Sequence, residues 1–197
     1  MSRMKAPERR RQLLEVAAEL FSQYGYRGTT TAELASAAEI TEPILYRHFE
    51  NKFDLFITLI EEIGAEVIAA WEESLEGVKS PRQRLKTILA ANPATHKRGK
   101  GVYRVIFQAM TEAEGEPDIG RALRRHLNLL GKFLQKELTA LQKAGVVRKD
   151  MKADALAEFL MSTGMGYGLS APLPGQGKKA ARDSMEKLLF DLLTKKR

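Results

Sequence analysis

Apolar side chains recur every three or four positions along almost the whole chain, and no stretch keeps the period of two that a half-buried strand requires. The pattern predicts an all-α protein. A first helix over 7–24 carries Leu13, Ala17, Leu20, Phe21 and Tyr24 on one stripe, and Gly25 follows as a left-handed stop. Thr30 and Glu33 have the spacing of a capping box, so a short second helix is expected to about 38, with Leu34, Ala35 and Ala38 inward. Thr41 is the expected N-cap of a third helix reaching about 48, with Pro43 in its first turn, where a missing N–H costs nothing. Asn51 caps a long fourth helix over 52–76, whose first turn holds Asp54.

After a break, Pro81 opens a fifth helix that ends near Asn92 and Pro93. A basic loop over 95–101 leads to a sixth helix over 102–113, and an acidic turn over 114–118 precedes a seventh over 118–144. The seventh has one continuous apolar face: Ile119, Leu123, Leu127, Leu130, Leu134, Leu138 and Leu141. The eighth spans 153–171 and stops at Pro172 and Pro174, and a ninth with Met185, Leu188, Leu189, Leu192 and Leu193 closes the chain. The expected architecture is about nine helices, divided into an N-terminal three-helix module over 1–52 and a helical body over 53–197.

Charge changes this picture less than its total suggests. The chain holds 32 basic and 25 acidic residues, a net of +7, which favours polyanionic partners. Residues 1–52, however, carry eight basic against seven acidic side chains, so placement must carry any nucleic-acid argument there. There is no cysteine, hence no disulfide, thiolate metal site or cysteine nucleophile. The charged N-terminus lacks the apolar core of a secretory signal, and no apolar run reaches the ~18 residues of a membrane span. A reducing, cytoplasmic setting is expected.

Two short helices joined by a tight turn and resting on a preceding helix are the parts of a helix-turn-helix. In TEPILYRHFENK, residues 41–52, Leu45 and Phe49 fall on one stripe with Ile40 inward before them, while Glu42, Pro43, Tyr46 and Arg47 fall on the other side, with Ile44 and His48 at its margins. Such a helix enters a major groove with its first turn, from Thr41, at base edges. Tyr46 and His48 suit phosphate contacts, Lys52 a charge-assisted one, and Thr30 and Thr31 add donors from the second helix. Arg9, Arg10 and Arg11 read first as a solvated helix face, with a backbone-phosphate contact as the alternative.

The Thr30–Thr31 pair, the Ala37–Ala38 pair before the turn and the Leu45-Tyr46-x-His48-Phe49-x-x-Lys52 set resemble the tetracycline-repressor (TetR) family of regulators, closely over 8–58 and in helix count and order beyond. The resemblance implies a homodimer across the eighth and ninth helices, a ligand pocket in the body and ligand-triggered release from a palindromic DNA operator. Two positions depart from the family. Glu39 stands where glycine is common, at a cost of up to about 1 kcal/mol if the turn is left-handed. Glu42 stands where Lys, Gln or a small residue is common, and its carboxylate accepts from cytosine but is repelled by phosphate.

In the eighth helix Gly164, Gly166 and Gly168 each cost about 1 kcal/mol relative to alanine, which argues for a packing reason. Gly164, Gly168 and Ala171 form a low ridge, and with Leu156, Leu160, Met185, Leu189 and Leu192 they make the expected dimer face; the other reading is that the glycines admit the ninth helix within one subunit. Trp71, Tyr103, Phe107, Met110, Met161 and Met165 are candidate pocket walls, with His126 and Gln108 as candidate polar groups, although such stripes are more often plain core. The acidic residues Glu112, Glu114, Glu116 and Asp118 read as a solvated turn with Asp118 as a cap, not as a metal site. The glycines of the eighth helix lack the strand and spacing of a dinucleotide fingerprint, and no paired histidine, cysteine or phosphate loop points to an enzyme or a cofactor. The competing reading is a ligand-binding helical protein whose helix-turn-helix no longer reads DNA.

Overall fold

The computed structural model describes residues 4–91, 99–170 and 179–194. Among them it has nine helices and no strand: α1 Ala6–Gly28, α2 Thr31–Ala37, α3 Glu42–Leu45, α4 Lys52–Leu75, α5 Pro81–Ala90, α6 Gly99–Glu112, α7 Pro117–Lys143, α8 Ala153–Ser170 and α9 Lys179–Thr194. The expected ends at Asn92 and Pro93, the loop over 95–98, and Ala171, Pro172 and Pro174 lie outside the described residues. None of the described helices is long and apolar enough to cross a membrane.

Packing divides the chain into two compact units. The first comprises Met1–Ile63 and Gly101–His126, so it joins α1 to α3, the start of α4, α6 and the start of α7. Its core is built on Leu13, Ala17 and Phe21 of α1, Leu45 and Phe49 of the α3 region, Leu55, Phe56 and Ile60 of α4, Ile106 and Ala109 of α6, and Ile119 and Leu123 of α7. The second unit, Gly64–Lys100 and Leu127–Arg197, has its own core of Trp71, Leu85, Ile88, Leu134, Leu138, Leu156, Leu160, Leu189 and Leu193.

Most helix ends follow their sequence signals. Ser80 accepts from the Gln83 N–H ahead of Pro81, and Asn51 Oδ1 accepts from the Asp54 N–H at 2.9 Å. Pro117 opens α7, so Asp118 lies inside the first turn, where it pairs with Arg121, and is not the cap. Gly25 has φ 79° and ψ 165°, a region open in practice only to glycine, so the chain breaks there although helical hydrogen bonding resumes to Gly28. The break is extended, not the left-handed helical stop expected. It leaves Tyr24 exposed instead of on the buried stripe, and Tyr26 enters the core in its place, stacked on Phe56 at 4.6 Å. On α7 the expected face is buried except at Leu127, which is half-buried.

Candidate functional site

The helix-turn-helix is held at its first end by side chain and backbone together. Thr30 Oγ1 accepts from the Glu33 N–H at 3.2 Å and donates to the Glu33 carboxylate at 2.8 Å, and the Thr30 N–H donates to the same carboxylate at 2.7 Å. These donors hold the Glu33 pKa below its ordinary value. Thr30 is therefore spent on the cap, and Thr31 is left with the free hydroxyl and N–H of the pair.

The turn after α2 is a Schellman motif. The Ile40 N–H donates to Ala35 O at 2.9 Å and the Glu39 N–H to Ser36 O at 3.0 Å, which satisfies the last carbonyls of α2. Glu39 sits at the left-handed position of this motif with φ 55°. The geometry that favours glycine is kept although the residue is not glycine, which works against a reshaped turn. Glu39→Gly should raise stability by about 0.5–1 kcal/mol, checked by urea unfolding.

The α3 segment is shorter than the sequence implies. Helical bonding from Glu42 gives way after Leu45 to tight turns, with the His48 N–H on Leu45 O at 2.9 Å. Thr41 occupies the N-cap position without a side-chain cap, so its hydroxyl is uncommitted. Leu45 and Phe49 are fully buried beneath the segment, while Pro43, Tyr46 and Arg47 are exposed and Glu42, Ile44 and His48 half-buried at its edges. The structure thus brings Thr41, Pro43, Tyr46 and Arg47 onto one exposed surface, with Glu42, Ile44 and His48 at its edges.

Two of the three N-terminal arginines have a different task from a solvated face. Arg9 and Gln12 both donate to Ala38 O at 3.4 Å, at the end of α2. Arg10 donates to His48 O at 3.4 Å, with its guanidinium 4.4 Å over the Phe49 ring. From α1, Arg9 braces the start of the turn and Arg10 the end of the α3 segment, and of the three only Arg11, paired with Glu15, lies on the open face. The arginine run was visible in the sequence, but its partners 29 and 38 residues away were not.

Lys52 is also engaged within the chain. Its Nζ donates to Tyr26 O at 2.9 Å and Thr29 O at 2.8 Å and lies 4.5 Å over the Tyr26 ring. Those carbonyls follow the break at Gly25 and need donors, so the ammonium ties the end of α1 to the start of α4. Lys52→Met should cost roughly 2 kcal/mol of stability in thermal or urea unfolding, beyond any effect on DNA binding.

The candidate effector residues divide between the units. In the first, Tyr103 is buried with its pKa pushed up to about 12 by desolvation, its ring 6.2 Å from Phe107, and Met110 packs on the core. His126 is 2% exposed, and neither ring nitrogen has a hydrogen-bond partner. Burial lowers its pKa; the nearby Ile60 backbone offsets this only in part, without a well-aligned bond. Gln108 Oε1 is likewise buried and unpartnered, and the α6 end is pinned to the end of α1 by Arg27 on Glu112 at 2.9 Å. In the second unit Trp71 lies flat on Phe133 with centroids 5.2 Å apart, Met161 packs on the core beside Gly131, and Met165 is half-buried. Among the described residues no cluster of metal-ligating side chains occurs.

A neutral, unsatisfied imidazole in a core should show in stability. Because the folded pKa lies below the ordinary 6.5, His126 adds no penalty from protonation above that pH, and stability is lost as pH falls from about 6.5 toward the folded pKa. His126→Leu should remove that slope and raise stability at pH 7 by about 1–2 kcal/mol, read from urea unfolding across pH 5–8.

The expected dimer residues on α8 mostly face their own chain. Leu156, Leu160, Gly164 and Gly168 are buried on one inward stripe, Leu189 is buried, and Met185 packs on the second core. Of that set only Leu192 is exposed. The outward face is a different one: Ala155, Phe159, Ser162, Gly166 and Leu169 on α8, and Ala181, Ser184, Leu188 and Leu192 on α9. Both stripes are small or apolar at helical spacing.

Comparison with known proteins agrees with this arrangement. The family model described as bacterial regulatory proteins, tetR family, matches residues 13–59, and that of the BetI-type transcriptional repressor C-terminal domain matches residues 81–195. The transcriptional regulator AcrR of Shigella flexneri is 30% identical over 95% of this chain and 91% of its own length. The transcriptional activator FasR of Mycolicibacterium smegmatis is 30% identical over 54% of this chain, which spans about half (49%) of that relative. A regulator from Saccharomonospora viridis, solved in complex with choline, has the same fold at a TM-score of 0.79, with 23% identity over 94% of this chain and 95% of that one.

Proposed function

The chain belongs to the TetR family of bacterial regulatory proteins, and on that premise we propose that it is a homodimeric repressor, released from a palindromic operator by a small-molecule effector. The observation that carries this reading is the surface of α3: a left-handed Schellman turn held by Arg9 before it and Arg10 bound to His48 O after it, with Tyr46 and Arg47 displayed over buried Leu45 and Phe49. Residues 1–52 act as the DNA-binding domain and 53–197 as the effector-binding and dimerisation domain, in the cytoplasm. Thr31, Thr41, Glu42, Pro43, Ile44, Tyr46, Arg47 and His48 make the DNA surface. Thr30 and Lys52 support it chiefly by capping and tying.

The effector contacts we favour are those of the first unit, Tyr103, Phe107 and His126, because α6 is joined there to the end of α1 by Arg27–Glu112 and shares a core with Phe21 and Phe56. An effector that displaces α6 therefore acts on the base of the helix-turn-helix, provided that it binds one arrangement more tightly than the other. One similar structure was solved with choline and another with stearoyl-CoA, which leaves the effector's identity to binding experiments. The direct test is selection from a random duplex DNA pool by the full-length protein at near-physiological salt. The expected result is a two-half-site palindrome with half-sites about one helical turn or a multiple apart. A pool without enrichment would overturn the reading.

A further inference from the structure

We propose that Glu42 is the base-discriminating residue of α3 and that it selects a cytosine in each operator half-site, accepting a hydrogen bond from the N4 amino group. This rests on the DNA-binding reading above and adds the base to it. Glu42 is the first residue of α3, half-buried at the edge of the surface on which Pro43, Tyr46 and Arg47 are exposed. Pro43 beside it has no N–H, so this turn is poorly equipped to cradle a phosphate.

A carboxylate at that place has one useful target. It can only accept, and phosphates repel it. On the major-groove edges the donors are cytosine N4 and adenine N6; adenine N6 has the N7 acceptor beside it, and thymine and guanine present acceptors. Cytosine is the base that a lone carboxylate can meet without facing an acceptor of the same base.

Glu42 is also uncommitted inside the protein. Glu8 accepts from the Lys5 N–H, Glu15 pairs with Arg11 and Glu33 holds the Thr30 cap. Among the described residues the Glu42 side chain has no such partner. In a module with eight basic and seven acidic residues, a free carboxylate on the groove face weakens attraction to every duplex alike. A cytosine offsets that loss, whereas an acceptor edge leaves a desolvated charge facing like charge, so discrimination comes as much from repulsion as from attraction.

The test runs the random-duplex selection with full-length wild type and with Glu42→Gln, followed by affinity measurements on the selected site with C·G changed to T·A at the indicated position. Matching melting temperatures establish that both proteins are folded. Wild type should hold one C·G pair at a symmetric position of each half-site and lose about tenfold affinity per half-site on the change to T·A. Glu42→Gln, whose amide both donates and accepts, should relax or shift that position alone toward adenine and cut the loss to about threefold or less. A palindrome in which Glu42→Gln alters no position, changing affinity by one factor for all sequences, would overturn the proposal while leaving the regulator reading intact. No palindrome from wild type would sink both.

Discussion

Arg84→Ala should destabilise the protein by about 3–5 kcal/mol, more than the loss of the Lys52 ammonium or of the Glu137 charge. Arg84 on α5 meets Glu137 on α7 through two bonds, Nε to Oε2 at 2.6 Å and Nη2 to Oε1 at 2.9 Å, and also donates to Leu75 O at 3.4 Å. The bonds to Glu137 hold the guanidinium pKa above its ordinary value. The two partners differ in exposure: the Glu137 side chain is 7% exposed and that of Arg84 31%. Removing the arginine strands a carboxylate among core residues; removing the glutamate leaves a guanidinium that can turn to water. Glu137→Gln should accordingly cost less, about 1–2 kcal/mol. Urea unfolding of both variants at pH 7 reads both expectations, and equal costs for the two variants would contradict the burial argument.

The sequence is most legible where one short-range signal determines the structure. The Thr30–Glu33 box, the Asn51 cap, Pro81 and the α7 stripe all act within a few residues, and each stands where its spacing places it. The left-handed turn at Glu39 is legible from its neighbours although the residue itself argues against it, because Leu34, Ala35, Ile40 and Leu45 fix the chain on both sides. Long-range partners are not legible. Nothing near Arg10 in sequence announces His48 and Phe49, and nothing near Lys52 announces the carbonyls of Tyr26 and Thr29. Both cations read as outward on the statistics of exposed charge, and both are instead used where a chain break leaves carbonyls that need donors.

The eighth helix does not yield its orientation for a separate reason. It is apolar nearly all round, with Leu156 and Leu160 on one side and Phe159 and Leu169 on another, so composition marks it as an interface helix without saying which face is inward. The effector residues are least legible of all: an aromatic or methionine at helical spacing looks the same in a core and in a pocket wall. Among these candidates the buried, unpartnered nitrogens of His126 and Trp71 and the Gln108 oxygen are what separate a candidate contact from plain packing.

Leu188→Glu should convert the protein from dimer to monomer and lower affinity for a two-half-site operator by at least about a hundredfold, while leaving the fold of each subunit intact. Leu188 is 66% exposed in the single chain and Leu169 62%, and with Phe159 and Leu192 they give α8 and α9 outward stripes of large apolar side chains interrupted only by Ala, Ser and Gly. Gly166 on that face has nothing within 4 Å of where a Cβ would be, so another helix can approach the backbone closely there. A glutamate at 188 costs little in the free subunit, where it is hydrated, and several kcal/mol in an apolar interface, where it is not. The adjacent Leu189 supplies the control: it is 8% exposed within the second core, so Leu189→Glu should lower the melting temperature of the chain itself. Operator affinity falls with the dimer because each subunit holds one reading surface, and linking two such surfaces raises the effective concentration of the second to about millimolar. Sedimentation equilibrium at micromolar concentration, paired with binding to one and two half-sites, measures both consequences. A wild-type protein that sediments as a monomer would overturn the dimer, and a Leu188→Glu protein that remains a dimer would place the symmetric contact elsewhere than on α8 and α9.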